Sequence, residues 1–432
     1  MTIELAITDA TVVTMDDAGT VHHGATVLVD GGVITHVGPA PSAPVDAART
    51  IDARGAIVLP GFVNAHTHLA MTMFRGLADD LDLDGFLARL LPAEGAVLSP
   101  ETVAAGTLLA IAECFRGGIT SALDMYFFPE VAMEVAAAAG FDLRSGPVFV
   151  EFPGADRRRF DERLAWAGEL LASVPPERRW VFPHSTYLLD EAQLTAVGRL
   201  AGELGARVHV HACETRAELA QVRERHGRTP IEVLRDTGLL GPGTVLAHAV
   251  HLSDADLGTV AASGAVVAHC PASNQKLASG FARVRDLLAA GVPVALGTDG
   301  AASANDLDLW LAMRLAAYPL AAREGPGTVG AADVLAMATR AGARALGAPE
   351  LGTIAVGTRA DLVVLDPSSP SLAPAYDPVA TAVYAASRAD VRWVVAGGRV
   401  VVDDRELTTI DVDAAIAAVR GLGPRILEAT SR

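Results

Sequence analysis

Two histidines one residue apart, His66 and His68 in "NAHTHLAMTMFRG", close the apolar run "AIVLPGFV". Side chains two apart on a strand share one side, so an imidazole nitrogen from each can meet one cation. Further donors must come from elsewhere. His211 in "HVHACET" and Asp299 in "GTDGAAS" are the best of those remaining. Three imidazole nitrogens and a carboxylate suit Zn²⁺ or Fe²⁺ with a position left for water, whose pKa such a metal lowers to roughly 7. Glu214, three residues after His211, is placed to shuttle a proton. His248 in "LAHAVHL" is placed to donate to an attacking or developing oxygen.

Each residue also has a plainer reading. Asp299 stands among Gly297, Gly300 and Ser303, the setting of a turn or cap. Glu214 could serve only as a helix-start carboxylate, and His248 could pack under a loop. His209 reads as a core histidine with no role in the chemistry, and His251 as structural. The combination carries the weight: HxH, His-x-x-Glu, His and Asp recur at the ends of successive apolar runs.

Those runs are the elements that must position the site. Eight short ones, "AIVLPGFVNAH", "GITSALDMY", "FDLRSGPVFVE", "WVFPHS", "RVHVHACE", "TVLAHAVH", "AVVAHCP" and "PVALGTDG", alternate with longer stretches at helical spacing, often closed by Gly. Eight strand–helix units predict a TIM (β/α)8 barrel, which builds its site at the strand C-termini. In order, those ends carry His66/His68, Asp124, Arg144 or Glu151, His184, His211/Glu214, His248, Cys270 and Asp299. Both flanks instead read as short strands and hairpins, as in "ATVLVDGGVITHVG" and "VRWVVAGGRVVVDD". The expected organisation is a small β-sandwich domain from residues 1–56 and 352–410, a barrel over 57–351 and a C-terminal helix over 411–432.

Bulk properties narrow the function classes. The 432 residues carry a net charge of −17, which argues against nucleic acid or anionic membranes as partners. Neither a secretion signal nor a stretch of ~18 uncharged apolar residues is evident. The three cysteines form no CxxC pair, and a reducing cytoplasm is expected. HExxH, PCxxC and P-loop motifs are absent.

The stretches "LPGFVNAHTHLAMTMFRGLADDL", "HVHACET", "LAHAVHL", "HCPASNQKLASG" and "GTDGAASANDLDLW" resemble the amidohydrolase superfamily. Within it they look most like the methylthioadenosine/S-adenosylhomocysteine deaminases, through nearly the whole chain. The resemblance implies one divalent metal held by His66, His68, His211 and Asp299, most simply Zn²⁺, with Fe²⁺ as alternative. It implies Glu214 as the ring-nitrogen proton shuttle and His248 as the water-orienting histidine. Binuclear relatives bring a carboxylated lysine from strand four, where this chain has His184 and no Lys. Glu94 in "LLPAEGAVL" matches a ribose-binding glutamate, and Arg144 and His184 match substrate contacts, as do Glu214 and Asp299.

The implied reaction is hydrolytic deamination of an adenine nucleoside to its inosine analogue and ammonia, in a homo-oligomer. A guanine, pterin or other aminoheterocycle deaminase, an s-triazine hydrolase and a non-catalytic assembly homologue are the alternatives. Phe86, Cys213 and Cys270 depart from the family's usual residues. One of Arg157, Arg158 and Arg159 could receive an amino-acid carboxylate on the substrate, or all three form a solvated basic run.

Overall fold

The computed structural model describes residues 2–430. The first residue of the expected 1–56 segment and the last two of the 411–432 helix lie outside them. The amino-terminal strands are β1 (Ile3–Val13), β2 (Val21–Asp30), β3 (Val33–Pro39), β4 (Ala47–Asp52) and β5 (Ile57–Pro60). The central ones are β6 (Phe62–His68), β7 (Ile119–Asp124), β8 (Asp142–Arg144), β9 (Val148–Phe149), β10 (Trp180–Pro183), β11 (Arg207–Ala212), β12 (Thr244–His248), β13 (Val266–His269), β14 (Val294–Leu296) and β15 (Asp299–Gly300). The last four are β16 (Leu362–Leu365), β17 (Val391–Ala396), β18 (Arg399–Asp403) and β19 (Glu406–Leu407).

Strands from both ends of the chain form one nine-stranded sheet, ordered β19-β18-β17-β16-β5-β1-β2-β3 with β4 on β1. The run "AIVLPGFVNAH" therefore divides. β5 pairs with β1 and β16 in this sheet, and β6 enters the barrel. Gly61 makes the passage. Its amide donates to Asp361 O at 2.8 Å, and a Cβ there would collide with the Thr120 side chain.

The central strands run parallel. β15-β6-β7-β8 and β14-β13-β12-β11-β10-β9 are the two ladders. Two interrupted strands, β8/β9 and β14/β15, carry one into the other, so eight strand positions complete the TIM-barrel circuit. Every residue of β6, β7, β10, β12 and β13 is buried. Parallel strands are covered on both faces, which is why these segments read as unbroken apolar runs.

Helix α1 (Leu83–Val97) follows β6 and lies across the barrel mouth. Asp82 caps it, accepting from the Gly85 amide at 2.9 Å. Its Phe86, Leu90, Ala93 and Val97 share an apolar cluster with Ile426 near the chain's end. The expected single C-terminal helix is two, Val412–Arg420 and Gly423–Thr430, with the break at Gly421. No single helix among the described residues is long and apolar enough to cross a membrane.

Candidate metal and catalytic site

His66 and His68 end β6, His211 lies on β11 and Asp299 on β15, all buried at the C-terminal face of the barrel. The His66 and His68 Nε2 atoms lie 3.3 and 3.2 Å from Asp299 Oδ1. His211 Nε2 is 3.3 Å from His68 Nε2. β15 can approach this closely because residue 297 is glycine: a Cβ there would sit 2.9 Å from His66 Cβ.

The outer ring nitrogens fix where the hydrogens are. His68 Nδ1 meets Met125 O at 2.5 Å and His211 Nδ1 meets His184 O at 2.9 Å. A carbonyl only accepts, so both Nδ1 atoms carry hydrogen, and in the neutral rings that bind a metal both Nε2 atoms present bare lone pairs. His209 Nδ1 meets Val245 O at 3.1 Å, leaving its Nε2 bare to accept from His66 Nδ1 at 2.7 Å. His66 Nε2 is thus bare too, and it has no hydrogen-bond partner. Burial pushes the His66 pKa down to about 4, so the ring stays neutral. Three bare nitrogens and a carboxylate oxygen facing one another repel unless a cation lies between them. The donor set fits a divalent metal with its outer hydrogen bonds already made. Among the described residues, the metal-capable groups are His66, His68 and Asp299, and His66, His211 and His248.

The second Asp299 oxygen, Oδ2, accepts from Ser273 Oγ at 2.6 Å and Ser303 Oγ at 2.9 Å. Glu214 Oε2 lies 3.6 Å from His248 Nε2. Burial, then the Asp299 charge, pushes the Glu214 carboxyl up to about 8. It can therefore hold a proton at neutral pH. The turn presenting it is tied down by Glu218, whose two oxygens accept from the Cys213 and Glu214 amides at 2.8 and 2.6 Å. Cys213, His248 and Asp299 have φ of 56°, 73° and 60°. Left-handed backbone at non-glycine residues costs roughly 1–3 kcal/mol each and gathers at functional sites.

A cavity of about 90 Å³ opens above this cluster, with Glu94, His184, Glu214, His248 and Asp299 in its wall. It shares Glu94, His68 and His184 with a larger one of about 420 Å³. Glu94 is on α1 and buried, not on a solvated loop, and accepts from Tyr126 OH at 2.5 Å. The larger cavity continues between Met125, Val148, Val150, Phe152 and Leu188 to Arg157. Arg157 has no side-chain hydrogen bond or ion pair among the described residues. Arg158 instead pairs with Asp156 and lies over Trp166, and Arg159 borders a separate surface hollow.

Arg144 does not join the site. Its guanidinium turns to Asp142 and Glu350, at 3.3 and 3.7 Å, in a cluster with Arg178 and Arg359. Both contacts run through Nη2, the Nε is buried without a partner among the described residues, and the guanidinium lines neither cavity at the mouth. His209, Glu218 and Tyr126 lie against the site although the sequence reading gave them no part, and Ser273 lies in the stretch "HCPASNQKLASG" that carries the resemblance. For His209 the signal was present: "HVH" repeats the HxH spacing of "HTH".

The sequence pattern of the amidohydrolase family matches residues 57–401, and the chain belongs to that family. It is 42% identical to a 5-methylthioadenosine/S-adenosylhomocysteine deaminase of Syntrophobacter fumaroxidans, over 96% of this chain and 97% of that one. A 5′-deoxyadenosine deaminase of Methanosarcina mazei is 38% identical over 96% of each. Among solved structures, an adenosine deaminase from Xanthomonas campestris with bound zinc superposes with a TM-score of 0.94 at 39% identity, covering 99% of each chain.

Proposed function

We propose that this protein hydrolytically deaminates an adenine nucleoside, releasing ammonia and leaving the inosine analogue. One observation carries the reading: the Nε2 atoms of His66 and His68 converge on Asp299 with His211 Nε2 against His68, beside a buried carboxyl that can hold a proton and beneath a cavity walled by Glu94. His66, His68, His211 and Asp299 hold one divalent cation. Zinc suits the nitrogen-rich set and is bound in the Xanthomonas relative. Such a cation supplies a water acidified to a pKa of roughly 7.

The chain's own groups do the rest. Asp299 takes the proton of the attacking water. Glu214 delivers its proton to N1 of the ring, which makes C6 more electrophilic. His248 donates from Nε2 to the oxygen that adds at C6. The C6–N bond then breaks, the amine leaves as ammonia with the proton Asp299 took from water, and the hydrogen left on the new C6 oxygen passes to Glu214 as the carbonyl forms, which restores both carboxyl groups. His184 borders the base. Glu94 accepts from the ribose 2′- and 3′-hydroxyls. The apolar cavity beyond it takes the 5′ substituent, and Arg157 stands at its far side for an anionic end. A thioether ending in an amino acid, as in S-adenosylhomocysteine, fits that sequence of surfaces. Three free, buried cysteines accord with a cytoplasmic home.

The test is an ammonia-release screen of zinc-loaded protein against adenosine, 5′-deoxyadenosine, methylthioadenosine, S-adenosylhomocysteine, guanine and cytosine. Turnover of the adenine nucleosides is expected. Turnover of guanine or cytosine alone would overturn the reading.

A further inference from the structure

The helix Pro271–Lys276 and the loop after it reach each group to which the proposed chemistry assigns a proton. Ser273 donates to Asp299, Ser279 Oγ lies 3.5 Å from Glu214 Oε1, and the Asn274 amide lies 2.9 Å from His248 Nδ1. The last contact is fully buried on both sides. Asn274 is itself held at both backbone ends. Its amide donates to Cys270 O at 3.0 Å, and its carbonyl accepts from Gly280 N at 3.2 Å.

A neutral imidazole carries one hydrogen, and the partner of one nitrogen decides the state of the other. His248 Nε2 faces the Glu214 carboxyl at 3.6 Å. With the Glu214 proton on Oε1, Oε2 accepts from a hydrogen on His248 Nε2, which leaves Nδ1 to accept and makes the Asn274 Nδ2 group its donor. The alternative tautomer presents a bare Nε2. A ring nitrogen of His248 lies within 4.8 Å of those of His66 and His211, so a bare Nε2 here would be a fourth imidazole ligand.

We propose that Asn274 is a positioning residue that holds His248 in the Nε2–H tautomer, keeping it out of the metal's ligand set and making it a donor to the reacting oxygen. The inference rests on the proposed place of His248 in the chemistry. Asn274 thereby separates two fates that are chemically open to the same ring.

The experiment uses zinc-loaded protein labelled with ¹⁵N at histidine. The His248 signals are assigned by their loss in His248→Phe. The expected wild-type ring has hydrogen on Nε2 and none on Nδ1. Asn274→Asp should place hydrogen on Nδ1, because a carboxylate only accepts. Asn274→Leu should lower kcat on the order of 10²-fold, the scale of one lost oxyanion donor, with KM and zinc content nearly unchanged. A wild-type ring with hydrogen on Nδ1, or an unchanged kcat in Asn274→Leu, overturns the inference. The spectrum decides it alone if the leucine variant does not fold. Normal kcat in His248→Phe would instead overturn the placing of His248 in the reaction.

Discussion

His66 donates from Nδ1 to Nε2 of His209 across 2.7 Å, and His209 passes the polarity on by donating to Val245 O. The relay orients the ring and keeps His66 Nε2 free for a cation. His209→Leu should therefore weaken zinc binding by about 10–100-fold, the usual effect of losing a ligand's outer partner. His209→Gln, which keeps an acceptor, should recover part of it. Competition against a chelator measures both, and equal affinity in wild type and His209→Leu would count against the relay.

Glu214→Gln should fold and retain its metal while turnover falls on the order of 10²-fold or more, since a carboxamide is nearly isosteric but cannot shuttle a proton. Metal content and kcat on one preparation settle this. Near-normal turnover would reduce Glu214 to a structural carboxylate.

Glu94 gives a pH prediction. Burial pushes its carboxyl up to about 7, with the Tyr126 bond opposing the rise. The ionised form accepts from both ribose hydroxyls, so KM for adenosine should climb as pH falls through that value. Tyr126→Phe removes a bond that favours the ionised form, so the climb should begin at higher pH. Glu94→Ala should cost adenosine at least about tenfold in kcat/KM and a free base far less. Equal losses on adenosine and a free base would mean that Glu94 does not read ribose.

Arg157→Met keeps the length and apolar stem while removing the charge. It should raise KM for S-adenosylhomocysteine and leave methylthioadenosine, which has no carboxylate, nearly unchanged. The ratio of the two kcat/KM values is the readout, and an unaltered ratio would remove Arg157 from the substrate's path.

The barrel and its metal-capable set were legible because they rest on local pattern. Buried parallel strands leave apolar runs, and His66, His68, His211 and Asp299 stand at their ends. Of the surrounding layer, the parts of Glu94 and His184 were read only through the family resemblance and the rest was not legible, for physical reasons. Arg144 also ends a strand, but its partners Asp142 and Glu350 lie elsewhere, and a guanidinium follows its carboxylates. Glu94 sits beside Pro92 in a stretch that reads as a loop, yet that proline is accommodated inside α1. Tyr126, Glu218 and Asn274 act through contacts 32, 4 and 26 residues away in the chain. Tyr126 and Asn274 depend on tertiary approach, which no spacing along the sequence encodes, whereas Glu218 is local and closes back on the turn that presents Glu214.

The proposed histidine ligands end their outer hydrogen bonds on main-chain carbonyls: His68 on Met125, His211 on His184, and His66 on Val245 by way of His209. A carbonyl is the one acceptor that every amino acid supplies. Replacing the side chain at Met125 or Val245 therefore leaves the acceptor in place, so long as the strand keeps its course. The cavity wall has the opposite character, since Glu94, Leu91, Phe152 and Arg157 contribute through their side chains and sit on α1 and one loop. Inheritance can thus exchange the specificity surface a residue at a time while the acceptors that orient the three histidines are carried forward in the backbone, a division that lets one scaffold explore new amines without relearning how to activate water.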